Sequence, residues 1–307
     1  MDRFDLHILG CGSALPTRRH LPAAQVLNVR DKLFLIDCGE GTQLQFRSTK
    51  LNYNKIYDIF ISHLHGDHCF GLIGLISTMG MLGRIAPLTI HAHKDLEKIL
   101  QPQLDYFCKG LAYEVRFAPF NPSEHALIYE DKSVRVYTLP LSHRIPTAGF
   151  LFREQERPRH IRKDMIDFYH IPLKSIPGIK QGLDFVTDEG ETVPNERLTK
   201  PAKPAKSYAY CSDTTYSKTL IPLIQGVDLL YHEATFDETE KDRARETMHS
   251  TASMAGRVAA EAQVKKLLIG HFSARYANED LLLEQAKAFF SNTILADENR
   301  VFEIDGD

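Results

Sequence analysis

Within the six residues His63-Leu64-His65-Gly66-Asp67-His68 the chain carries four side chains able to bind a metal, directly after an apolar run that ends at Ser62. No other stretch constrains the fold as much. Imidazoles and carboxylates gathered at a strand end suit zinc and related ions, and they need further ligands brought back to the same place by distant parts of the chain. His63 and His65, two residues apart on an extended loop, can converge on one ion. Asp67 and His68 are adjacent, point elsewhere, and leave room for a second. A merely solvated polar loop is the alternative reading.

Further ligands follow other strand-like segments. His143 comes after Val134–Leu139, Asp213 after Tyr208–Cys211, and His271 after Lys266–Ile269. One histidine after a strand is usually structural, but strand ends on one edge of a sheet face a common cleft. Seven such side chains could hold two ions, and they are assigned as His63, His65 and His143 on one and Asp67, His68 and His271 on the other. Asp213 is expected to bridge them, since its two oxygens can serve two cations. Asp37 opens Asp37-Cys38-Gly39-Glu40-Gly41-Thr42 after another strand and is expected to orient a metal-binding histidine from behind. Gly39 and Gly41 allow that loop a tight turn.

The remaining chain mixes both element types. Residues 4–10, 24–30, 33–37, 56–61, 88–92, 149–152 and 228–231 are strand-like, and 72–82, 250–262 and 278–290 carry helical spacing. This mixture predicts an α/β sandwich. Residues 153–206 differ. They are polar, contain prolines, and end in a lysine-rich stretch with Lys200, Lys203 and Lys206. They are read as an insertion with one short helix near 162–169, either a plain surface excursion or an arm suited to a phosphate backbone.

Composition narrows the class. The chain has 307 residues, 43% hydrophobic and 25% charged, which excludes a disordered chain or a disulfide scaffold. The net charge of −3 argues against non-specific nucleic-acid binding, though not against a local basic patch. Cys11, Cys38, Cys69, Cys108 and Cys211 are odd in number, form no CxxC pair, and are read as reduced thiols. The longest apolar-leaning stretch, Cys69–Gly83, falls short of the roughly 20 residues a membrane span needs. With no signal-peptide pattern at the N-terminus, a cytoplasmic location is expected. Gly10-Cys11-Gly12 alone is too weak a phosphate-loop signal to imply a nucleotide cofactor.

The HxHxDH loop resembles that of the metallo-β-lactamase superfamily. The resemblance extends to Leu9–Thr17, Ile36–Gln43, His68–Leu72, Tyr210–Thr214, His232-Glu233-Ala234-Thr235, His249-Ser250-Thr251 and His271-Phe272-Ser273-Ala274-Arg275-Tyr276. In their order these blocks resemble the ribonuclease Z family of tRNA 3′-processing endonucleases. The resemblance implies a four-layer αβ/βα sandwich over 1–307, with 153–206 as an inserted flexible arm that grips tRNA. It implies a zinc-dependent endoribonuclease with two zinc ions per subunit, acting on precursor tRNA as a homodimer. Asp67 would also accept the proton of the attacking water, and His249, oriented by Glu233, would protonate the leaving oxygen. His232 would lie behind the ligands. Ser273, Arg275 and Tyr276 would contact phosphate, although Tyr276 suits a core position equally. The sequence departs from the family pattern at Ile73-Gly74, where Pro-Gly is usual, and in an arm whose nearest Gly-Pro-like element is Ile176-Pro177-Gly178. A small-molecule phosphodiesterase of the same superfamily is the alternative. A non-catalytic RNA-binding subunit would have lost ligands that are all present here.

Overall fold

The computed structural model describes residues 3–298 and 300–305. The chain divides into two compact units, one formed by residues up to 153 together with 206–305, the other by 154–205. The larger unit is built on two seven-stranded sheets. In space the first runs Val301–Glu303, Phe4–Gly10, Ala24–Val29, Lys32–Ile36, Ile56–Phe60, Leu88–His93, Val115–Phe120. The second runs Thr293–Leu295, Lys266–Gly270, Leu229–Glu233, Ser207–Cys211, Ala148–Glu154, Val134–Pro140, Leu127–Glu130.

Each sheet is antiparallel on one side and parallel on the other. Arg30 and Asp31 both take positive φ, 52° and 69°, and close the hairpin between Ala24–Val29 and Lys32–Ile36. This is the backbone a two-residue type I′ turn demands. From Lys32–Ile36 onward the strands to Val115–Phe120 are parallel. In the second sheet Ser207–Cys211, Leu229–Glu233, Lys266–Gly270 and Thr293–Leu295 are parallel. Loops after parallel strands emerge on the same edge, which is where open α/β sheets place ligands.

Period-two alternation assigns the faces. Phe34, Ile36 and Phe60 turn toward one core, while Leu33, Leu35, Ile59 and Ile61 turn toward another. The first core lies between the sheets, where Phe60 meets Phe150 and Phe152 edge-on at 5.5 and 5.4 Å. Edge-to-face contact matches the ring quadrupoles. The second core packs the helices Leu72–Met81 and Asp95–Phe107 on the first sheet through Leu75, Ile76, Met79, Leu96, Leu100 and Leu104. On the second sheet the helices Ala252–Glu261 and Asp280–Lys287 bury Ala255, Val258, Ala259, Leu282 and Ala286. The layers are helix, sheet, sheet, helix, the fold class read from the sequence.

Helix ends match the expected spans to within a few residues. The helix predicted from 250 starts at Ala252 because Thr251 caps it, accepting the Met254 amide. Local pattern did not reveal the helix Asp95–Phe107, which carries Pro102 inside it, nor the strands Leu127–Glu130, Thr293–Leu295 and Val301–Glu303. Residues 154–205 hold a small core of their own, Ile171, Ile179, Phe185, Val193 and Leu198, and the helix near 162–169 spans Lys163–Phe168.

Candidate metal centre

Four donors come from the loop after Ile56–Phe60, and the rest from loops after strands of the second sheet. The structure brings His63, His65, His143 and Asp213 together, and likewise Asp67, His68 and His271, with the ligand atoms of each group within 4.8 Å of one another. Asp213 divides its oxygens between the groups. Its Oδ2 lies 3.5 Å from His63 Nε2 and 3.6 Å from His143 Nε2. Its Oδ1 lies 3.1 Å from His68 Nε2 and 3.2 Å from His271 Nε2. Asp67 Oδ2 completes the second group, 3.5 Å from His68 Nε2 and 3.6 Å from His271 Nε2. A tetrahedral ion with bonds near 2.0–2.1 Å has ligand–ligand edges of about 3.3 Å, close to these spacings.

The donor inventory makes a stronger case than the distances. His68 Nδ1 donates to Asp37 Oδ2 at 2.7 Å, and His271 Nδ1 to Thr235 Oγ1 at 3.0 Å. Their Nε2 atoms are then both acceptors, yet they face each other at 3.3 Å beside two carboxylates. His143 Nδ1 donates to the Met248 carbonyl and His63 Nδ1 lies 3.0 Å from Ser62 Oγ, so their Nε2 atoms also turn acceptor lone pairs inward. A cluster of buried acceptors with so few hydrogens among them fits a cation at its centre, and the residues present suit a pair of divalent ions.

In the metal-free chain the same acids favour a proton on His68, in the place a metal ion would take. Burial would raise Asp213, but His271, His68 and His63 hold it well below the usual carboxylate range. Burial would lower His68, but Asp213, Asp37 and Asp67 hold it well above the histidine range. His63, buried beside other imidazoles, is pushed well down. The half of the site nearest three carboxylates therefore attracts positive charge.

Supporting residues fix the ligands. Asp37 is fully buried and accepts the Ser62 amide at 2.7 Å, Ser62 Oγ at 2.8 Å, His68 Nδ1 at 2.7 Å and Tyr210 Oη at 2.6 Å. Asp67 Oδ2 accepts the Ala14 amide at 2.8 Å. Asp37, Asp213 and His271 all adopt left-handed backbone, φ 55°, 60° and 58°. Such conformations are costly for non-glycine residues and cluster at functional sites.

Glu233 and His249 form a second, adjoining unit. His249 Nδ1 donates to Glu233 at 3.0 Å, and Glu233 also accepts from the Thr214 and Ser250 amides and from Thr235 Oγ1. Burial lowers His249, but the Glu233 carboxylate outweighs it and pushes the imidazole up to about 9. Its Nε2 lies 3.9 Å from Asp213 Oδ2. Thr235 links this unit to His271 through its one hydroxyl.

Other residues singled out in the sequence sit apart. His232 is buried with Nδ1 2.8 Å from the Glu233 carbonyl, and its Nε2 has no partner among the described residues. A cavity of about 360 Å³ is lined by Asp67, Asp213, His249 and His271 among others, but not by Ser273, Arg275 or Tyr276. Arg275 instead pairs with Glu240 at 2.5 Å and lies over the Phe236 ring. Ser273 Oγ accepts from Arg275, and Tyr276 Oη accepts the Asp237 amide. Local sequence did not mark Ser62, Thr235 or the amide of Ala14 as supports, since each acts through a partner far along the chain.

Comparison with known proteins agrees with this geometry. A family model described as anti-Pycsar protein Apyc1 matches residues 4–133. A Ribonuclease Z from Bacteroides thetaiotaomicron is 58% identical, covering 99% of this chain and 96% of that one. One from Azobacteroides pseudotrichonymphae is 48% identical, covering 99% and 100%. The crystal structure of the short form of human tRNase Z superposes with a TM-score of 0.70 at 25% identity, covering 98% and 99% of the two chains. The metallo-β-lactamase fold protein YhfI from Bacillus subtilis has the same architecture at 19% identity, with a TM-score of 0.69 over 98% and 100%. Identity above half over almost the whole chain, on a metallo-β-lactamase fold with this cluster at its sheet edge, makes the protein a member of the ribonuclease Z family.

Proposed function

We propose that the chain removes the 3′ trailer of precursor tRNA by hydrolysing the phosphodiester after the discriminator base, leaving a 3′-hydroxyl on the tRNA. The observation that carries this reading is the division of Asp213 between two acceptor clusters beside the Glu233–His249 pair. It is the arrangement a metal-dependent phosphodiester hydrolase needs, in a chain whose relatives are ribonucleases Z along their full length.

Two zinc ions are assigned to His63, His65, His143 and Asp213 and to Asp67, His68, His271 and Asp213. Such ions supply a water deprotonated near neutral pH and neutralise charge gathering on the phosphate. The protein's own groups do the rest. Asp67, held through one oxygen by the Ala14 amide, takes the proton of the attacking water. His249 is kept protonated by Glu233 and faces the cavity, so it gives a proton to the departing 3′ oxygen as the P–O bond breaks. Asp37 and Thr235 hold His68 and His271 in the tautomer that leaves Nε2 free.

Residues 153–206 are assigned to gripping the tRNA body through their lysine-rich close, Lys200, Lys203 and Lys206. The reading includes a homodimer in the cytoplasm. No described helix is long and apolar enough to cross a membrane.

The test is cleavage of end-labelled precursor tRNA beside an Asp67→Ala variant and a chelator-treated sample. A cut after the discriminator base, lost in both controls, is expected. Turnover of bis-p-nitrophenyl phosphate without any cut in tRNA would replace this reading with a small-molecule phosphodiesterase.

A further inference from the structure

Among the exposed residues lining the cavity beside the metal centre, Arg144 and Phe70 have no part in the reaction as described. Arg144 follows the ligand His143 directly and is exposed. It makes no hydrogen bond, ion pair or ring contact among the described residues, and it is the one Lys or Arg lining a cavity that also holds Glu40, Asp67 and Asp213. Arg275, the cation that sequence resemblance aims at phosphate, is occupied by Glu240 and Phe236 outside that cavity. Phe70 is 71% exposed. Its ring lies on Gly66 of the ligand loop, so closely that a Cβ at Gly66 would come within 2.2 Å of it. Phe70 is thus a solvent-facing aromatic ring packed on the ligand loop at the cavity, the form a base-stacking platform takes.

We propose that Arg144 and Phe70 form a nucleotide subsite beside the cut, with Arg144 binding the backbone phosphate adjoining the scissile one and Phe70 stacking on a base of the same single-stranded stretch. The guanidinium fork suits a phosphate with two free oxygens. Arg144 is exposed, whereas Asp213 and His271, which line the same cavity, are buried. This inference rests on the ribonuclease reading and deepens it.

Arg144→Ala, Arg144→Lys and Phe70→Ala are compared with the wild type on precursor tRNA and on bis-p-nitrophenyl phosphate, which has one phosphodiester and no neighbour. Melting temperature and metal content are checked for each. Arg144→Ala is expected to raise KM for precursor tRNA about tenfold, the scale of one charge-assisted contact, with kcat and the small-substrate KM unchanged. Its slope of log KM against log salt should fall by about 0.7, the loss of one single-strand phosphate contact. Phe70→Ala should raise KM on RNA severalfold and leave the salt slope alone. Arg144→Lys should recover the salt slope and only part of the affinity. An unchanged KM on RNA overturns the proposal. So does an equal loss on both substrates, which would place Arg144 on the scissile phosphate. If wild type turns over only the small substrate, the ribonuclease reading fails first and the subsite falls with it.

Discussion

Replacing Asp37 by Asn tests whether the buried acid behind the metal ligands sets their affinity. The carboxylate receives four donors, one on Oδ1 and three on Oδ2. An amide can satisfy them only by turning its NH2 toward one side. Turned toward Oδ1 it faces the Ser62 amide, and turned toward Oδ2 it faces Ser62 Oγ, His68 Nδ1 and Tyr210 Oη. The first choice is cheaper and still sets two donors against each other in a fully buried site. A lost hydrogen bond to a charged acceptor costs about 1.5–3 kcal/mol. The three surviving bonds drop from charge-assisted to neutral, which roughly halves them. The metal-free protein should therefore lose about 3–5 kcal/mol of stability. The neutral amide also polarises His68 less, and such supporting partners are worth about 10- to 100-fold in metal affinity. Chelator-competition titration reads the affinity, and denaturant melts of metal-free protein read the stability. Tyr210→Phe serves as the milder comparison, since it removes one donor and keeps the charge. It should lose about 1.5–3 kcal/mol with metal affinity nearly intact. An Asp37→Asn variant that bound metal as tightly as wild type would refute the argument, and so would a Tyr210→Phe variant that lost affinity equally.

Glu233→Gln should lower kcat on precursor tRNA by about a hundredfold or more with metal content unchanged, because an amide cannot accept from both backbone amides and still hold the His249 ring; full kcat would remove Glu233 from the mechanism. Gly71→Ala would bring a Cβ within 2.0 Å of the Gly39 carbonyl, forcing the loops at 37–41 and 68–71 apart at a cost of about 1–3 kcal/mol; an unshifted melting curve would show that the loops yield freely. His20 carries a pH prediction away from the metal centre. Burial would lower it, but Glu298 and Glu279 raise it above the usual histidine range, and Glu298 is lowered in return despite its own burial. A raised group stabilises fully below its unfolded value, about 6.5, and loses that contribution as pH rises through the folded one. Glu298 contributes above about 4.5 and loses it as pH falls further. His20→Gln should therefore depress the melting temperature more near pH 6 than near pH 10, and a pH-independent difference would contradict the pairing.

The site was legible to the extent that its chemistry is contiguous. Four candidate ligands fall in one hexapeptide, and His143, Asp213 and His271 each follow a recognisable apolar run, so strand-end logic could gather them before any coordinates. Left-handed backbone at Asp37, Asp213 and His271 was not legible, because no glycine marks those turns. They are held by what surrounds them, such as the four donors on Asp37. The same limit applies to Arg275. Its type and its place in a familiar block point to phosphate, while its partner Glu240 lies 35 residues earlier and invisible to local pattern. In the fold, long buried strands showed themselves through hydrophobic periodicity, whereas short edge strands such as Leu127–Glu130 and Val301–Glu303 carry too few apolar positions to do so. Pro102 masked the helix around it, although an exposed turn can give up one backbone hydrogen bond when Leu96, Leu100 and Leu104 pack on one face.

The distribution of ligands over the two sheets has a consequence for stability. His63, His65, Asp67 and His68 leave the first sheet, while His143, Asp213 and His271 leave the second. Asp213 reaches both ligand clusters from the second sheet, and His63 and His68 meet it from the first. Without a cation, this edge crowds carboxylates and imidazoles together, and the sheets are held there by the aromatic core behind it and by bonds such as Tyr210 Oη to Asp37 and the Ala148 amide to the Ser62 carbonyl. The pair of ions proposed for this site would turn the same contacts into cross-links between the sheets. Folding of this edge and assembly of the site are then one equilibrium, in which metal binding contributes directly to folding free energy. The same coupling explains why the supports at Asp37, Thr235 and Ala14 come from loops rather than from the strands themselves. Loops can adopt left-handed turns that aim a single atom, and the rigid parallel strands beneath keep that aim fixed.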